Sequence, residues 1–69
     1  MKNNFYINYV ITLKNGMKKE YNIFACNLIF NDKELSFTDI STGQRIKYLL
    51  DNLLFEVEKV QVKKIIIKE

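Results

Sequence analysis

Residues Arg45–Glu58, RIKYLLDNLLFEVE, constrain the fold most, because one register pairs the segment with itself. Read as a β-hairpin with Asp51-Asn52 at its tip, it sets Leu50 opposite Leu53, Leu49 opposite Leu54 and Tyr48 opposite Phe55. Further out, Lys47 faces Glu56, Ile46 faces Val57 and Arg45 faces Glu58. Apolar meets apolar and positive meets negative, the cross-strand pairing that stabilises antiparallel sheets. Asp and Asn both tolerate the positive φ of a tight turn. A second pattern competes. Ile46, Leu49, Leu50, Leu53, Leu54, Val57 and Val60 also follow the i, i+3, i+4, i+7 spacing of an amphipathic helix, with Ser41 and Gln44 as a capping box. A helix leaves Tyr48 and Phe55 off its apolar stripe, and the segment holds β-favouring Tyr, Phe, Ile and Val. The expectation is an all-β chain, with an α+β chain carrying a helix over 44–60 as the alternative.

The rest of the chain reads as strands. Phe5, Ile7, Tyr9, Ile11 and Leu13 alternate with Tyr6, Asn8, Val10, Thr12 and Lys14, the period of a strand with two unlike faces. Asn15-Gly16 follows, a strong hairpin signal. A two-residue loop there pairs Lys14 with Met17, Leu13 with Lys18 and Tyr9 with Asn22, an imperfect match that leaves room for a bulge or a longer loop. A second strand runs from Met17 to about Phe24, and Leu28-Ile29-Phe30 is a short apolar run ended by the turn Asn31-Asp32-Lys33. Glu34–Thr38 resumes as a strand, and Gly43 suits the left-handed position of a bulged loop before Arg45. Val60–Glu69 closes the series. Five or six antiparallel strands in sequence-neighbour order form a meander. Strands of this length either close into a small SH3-like or Sm-like barrel or make a curved sheet.

The chain of 69 residues has room for one small β domain, residues 1–69, with a marginal core. No disulfide can form within it, because Cys26 is its only cysteine, and there is no histidine to join that thiol on a metal. A lone cysteine and the lack of a hydrophobic leader or a long apolar run point to the cytoplasm, away from membranes. The absence of histidine also removes the usual general base at neutral pH, and no base is tied to Ser36, Ser41, Thr42 or Cys26. Asp32, Glu34 and Asp39 lack the alternating pattern of a calcium loop, and Gly16 and Gly43 are isolated, so no phosphate-cradling loop is present. The expectation is a protein that is not an enzyme and uses no cofactor or metal.

Charge is distributed in blocks. Residues 1–24 carry +3, residues 25–58 carry −3 and residues 59–69 carry +3, a pattern that a fold can gather into one basic face. Two functions follow. The first is a protein-binding or assembly module, a homo-oligomer or a binder of another protein. Ile65, Ile66 and Ile67 are the interface candidates, because three consecutive isoleucines put apolar groups on both faces of a strand. Ten lysines against one arginine, with abundant Asn and Ile, is the bias of AT-rich coding, so a phage or mobile-element factor acting on a host protein is one form of this reading. The second is a basic nucleic-acid-binding β-barrel using Lys14, Lys18, Lys19, Tyr6 and Tyr21.

Overall fold

The computed structural model describes residues 4–53 and 55–68. Five antiparallel strands make one sheet: β1 (Asn4–Leu13), β2 (Lys18–Phe30), β3 (Glu34–Asp39), β4 (Arg45–Leu49) and β5 (Val57–Lys68). The sheet order is β4-β3-β2-β1-β5. The chain is all-β, without a helix among the described residues, so none there is long and apolar enough to cross a membrane. The sheet curls without closing, and β4 and β5, its two edges, do not pair. The curved sheet is thus the form adopted, and the barrel and the 44–60 helix are not.

The expected hairpin over 45–58 does not form. Arg45–Leu49 pairs with β3, setting Ile46 beside Phe37 and Tyr48 beside Leu35. Val57 and Val60 pair instead with Leu13 and Ile11 of β1, at the opposite edge of the sheet. The proposed Leu49–Leu54 pair involves a residue outside those described. Local pairing would satisfy the segment itself but would leave β1 without an outer neighbour. The observed arrangement lays Val57, Val60, Val62 and Ile65 over the core as well. The order is therefore a four-strand meander with β5 returned to β1.

The first hairpin differs from the two-residue reading by one residue. Gly16, at φ 93°, ends a three-residue loop in which its N–H donates to Leu13 and Leu13 N–H donates to Met17. Thr12 now pairs with Lys18 and Tyr9 with Tyr21. That shift puts Tyr21, Ile23 and Ala25 on the same face as Tyr9, Ile7 and Phe5, and in a sheet with one buried face such matching sets the register. Asn31 forms the predicted turn, its Oδ1 accepting from the N–H groups of Lys33 and Glu34. Gly43 holds φ 76° between β3 and β4, as the bulged-loop reading requires.

The apolar run 28–30 is the far half of β2. A bulge between Cys26 and Ile29, with Asn27 at φ 52°, lets β2 bend and serve two partners. Residues 18–26 pair with β1, and residues 25–30 pair with β3. The bend folds the β3–β4 pair over the inner face of β1. Three strand spacings would separate β4 from β1 by roughly 14 Å in a flat sheet, yet the Tyr48 and Tyr9 hydroxyls lie 3.0 Å apart. Tyr9 is almost fully buried and packs against Tyr21, Phe37 and Tyr48, with ring centroids 5.2, 5.9 and 5.5 Å away. Burial pushes its hydroxyl well above the usual tyrosine range. Ile7, Ile11, Ala25, Leu35 and Phe37 complete the buried core.

Candidate nucleic-acid interface

The even-numbered residues of β1 point away from that core, and their neighbours on β2 and β5 define the outer face. Five rows cross the three strands: Lys18–Thr12–Lys59, Glu20–Val10–Gln61, Asn22–Asn8–Lys64, Phe24–Tyr6–Ile66 and Cys26–Asn4–Lys68. At about 6.8 Å between rows and 4.8 Å between strands, the face is roughly 27 Å long and 10 Å wide. A register shift between Asn8 and Tyr9 turns the doublet Lys63-Lys64 outward together. Lys63 joins Lys18 and Lys59 around a groove over Val10 and Thr12. Lys64 lines a second groove with Tyr6, Asn8, Asn22 and Ile66. Five of the chain's eleven basic residues thus share this face. Two acids accompany them: Glu58, turned outward beside Lys59 by a second register shift between Thr12 and Leu13, and Glu20, whose carboxylate accepts from Asn8 Nδ2 at 2.8 Å. The same Nδ2 donates to Asn22 Oδ1 and to the Tyr21 carbonyl.

The nucleic-acid residues read from sequence divide. Lys18 and Tyr6 lie on the outer face. Tyr21 turns inward and stacks on Tyr9. Lys19 pairs with Ile11 on the inward phase at the exposed end of the sheet, and Lys14 sits in the β1–β2 turn. The one-residue register shift separates Tyr21 from Tyr6. Sequence reasoning missed Lys59 and Phe24 and did not join Lys63, Lys64 and Lys68 to Lys18. The signal was present in the two +3 blocks, which the pairing of β1 with both β2 and β5 brings together. The isoleucine triplet divides as well. Ile65 packs on the core, Ile66 is 40% exposed beside Tyr6, and Ile67 is 61% exposed at the edge.

Other polar groups have structural roles. Ser36 is buried, donating to Glu34 Oε2 and accepting from Arg45 Nη2 at 2.9 Å. Arg45 also donates to Thr38 Oγ1 and to the Asn27 carbonyl, so it fastens β4 to the β2 bulge. A hydrogen bond from Ser41 Oγ to Asp39 lowers the Asp39 carboxyl below its usual range. Among the described residues no group of three His, Cys, Asp or Glu side chains is placed to hold a metal ion.

Fold and face together define a curled, open five-stranded sheet with one basic outer surface. No family model, no curated protein and no solved structure matches the chain.

Proposed function

We propose that the chain is a non-enzymatic binding module whose outer β2–β1–β5 face takes nucleic acid. The observation that carries this reading is the convergence of Lys18, Lys59, Lys63, Lys64 and Lys68 on one face, an excess over Glu58 and the Asn8-held Glu20. A basic groove that tracks a phosphate backbone binds mainly by releasing counterions, and needs no arginine for that. The test compares two double charge reversals of equal net charge. Lys59→Glu with Lys64→Glu alters the face, whereas Lys33→Glu with Lys47→Glu alters a turn and β4. The first pair should abolish oligonucleotide binding in a fluorescence anisotropy titration, and the second should preserve most of it. Equal losses would reduce the effect to net charge and refute the reading.

A second reading, protein binding or assembly, is favoured by one observation: β5 is an edge strand with Ile66 and Ile67 exposed. Unpaired edge groups accept an added strand. Antiparallel pairing of β5 with its own copy about Ile66 sets Lys64 opposite Lys68, a like-charge contact that destabilises the pair. An acidic strand from another protein suits this edge better than a homodimer does.

A further inference from the structure

One row of the outer face breaks its polar character. Phe24, Tyr6 and Ile66 lie side by side across β2, β1 and β5, with Asn22, Asn8 and Lys64 in the row on one side and Cys26, Asn4 and Lys68 on the other. Tyr6 is 46% exposed and Ile66 40% exposed, so an apolar strip faces solvent in the middle of a lysine-bearing surface. The Tyr6 ring is held in place. Phe24 lies against it with ring centroids 4.8 Å apart at 31°, and Lys68 Nζ lies over the ring, 5.6 Å from its centroid. Lys64 and Asn8 line the groove beside it. A fixed ring, 46% exposed, with the exposed Lys68 side chain over it and Lys64 in the row beside it, suits a flat aromatic group attached to a phosphate chain, which takes the place over the ring as Lys68 swings to a phosphate.

We infer that Tyr6, backed by Phe24 and Ile66, is a stacking platform for an unpaired base, so the outer face selects single-stranded over double-stranded nucleic acid. This rests on the proposed nucleic-acid reading and adds the class of nucleic acid to it. Bases in a duplex are stacked on one another and do not present their faces to a sheet, whereas a single strand can lay a base on an aromatic ring while its phosphates meet the lysines. Stacking is tolerant of sequence because every base has a π-face. Selectivity should therefore be for strandedness and weak for sequence.

The test uses the full chain with a labelled twelve-nucleotide oligothymidylate and a labelled twelve-base-pair duplex. Tyr6→Leu should weaken the single-strand complex about tenfold, leave duplex binding unchanged and keep the salt slope, since no phosphate contact is lost. Tyr6→Phe keeps the ring and should retain the selectivity, which separates stacking from any loss of folding. Single-strand affinity unchanged in Tyr6→Leu, or lost equally for both probes, overturns the inference. Lys59→Glu with Lys64→Glu keeps the two readings apart. If that pair weakens binding while Tyr6→Leu does not, only the stacking role falls. If neither variant changes binding, or the chain binds neither probe, the nucleic-acid reading falls with it.

Discussion

Replacing Tyr48 by Phe tests how the curl of the sheet is held. The Tyr9 ring is almost entirely buried, and among the described residues Tyr48 is the hydrogen-bond partner of its hydroxyl, at 3.0 Å. Tyr48 is only half-buried, so its own hydroxyl can turn to water. The two deletions are therefore unequal. Tyr9→Phe removes one hydrogen bond and leaves a hydroxyl that water can satisfy, a loss of about 0.5–1.5 kcal/mol. Tyr48→Phe strands a buried hydroxyl and should cost about 1–3 kcal/mol. A chain of this length has roughly 3–10 kcal/mol of total stability, so the larger loss is a sizeable share. Adding Tyr9→Phe to Tyr48→Phe removes the stranded group, and the double variant should be no less stable than Tyr48→Phe alone. Urea unfolding with a slope of about 1 kcal/mol/M would read the Tyr48→Phe loss as a midpoint lower by about 1–3 M. Equal single effects that add in the double variant would refute the reasoning, because Tyr9 would then have another partner and β4 would not be tied to β1 at this point.

Asp39 should give the folded state an acid limit. Its folded carboxyl titrates below the usual value because Ser41 donates to the ionised form. The stabilisation is present above the unfolded pKa of about 3.9 and is lost as pH falls through the folded pKa. Unfolding midpoints measured from pH 6 to pH 2 should fall more steeply for the native chain than for Asp39→Asn, and parallel curves would contradict this. Ile67→Lys separates edge docking from core packing. With 61% of Ile67 exposed, the variant should lose a strand-adding partner and keep its thermal midpoint within a few degrees; an unfolded variant would make Ile67 a core residue instead.

Much of the fold was legible because β1 alternates strictly. Phe5, Ile7, Tyr9, Ile11 and Leu13 face the core, and Asn4 through Thr12 on the even positions face out, as the period of two requires. The turns at Asn31 and Gly43 were legible for the same local reason, side-chain hydrogen bonding in one case and positive φ in the other. What local pattern did not carry was partner choice. The two halves of Arg45–Glu58 complement one another, yet Arg45–Leu49 also complements β3 and Val57 also complements β1, and only the need to cover both edges of the core decides between them. The one-residue difference at Asn15-Gly16 had the larger consequence for function, because it sends Tyr21 inward to Tyr9 and leaves Tyr6 as the exposed tyrosine. The basic face followed from the same long-range choice. Lys18 and Lys59 are 41 positions apart in the chain and flank a single residue, Thr12, once β5 pairs with β1.

The central claim is most directly tested by the salt dependence of oligothymidylate binding. If four or five of the outer-face lysines meet phosphates, the logarithm of the association constant should fall with the logarithm of salt at a slope of about −3, a loss of roughly fifty- to a hundredfold between 50 and 200 mM. Removing two contacts with Lys59→Glu and Lys64→Glu should flatten that slope by at least about 1.4. A slope near zero, or one that the face variant leaves unchanged while the Lys33→Glu and Lys47→Glu variant flattens it, would contradict the assignment of this face.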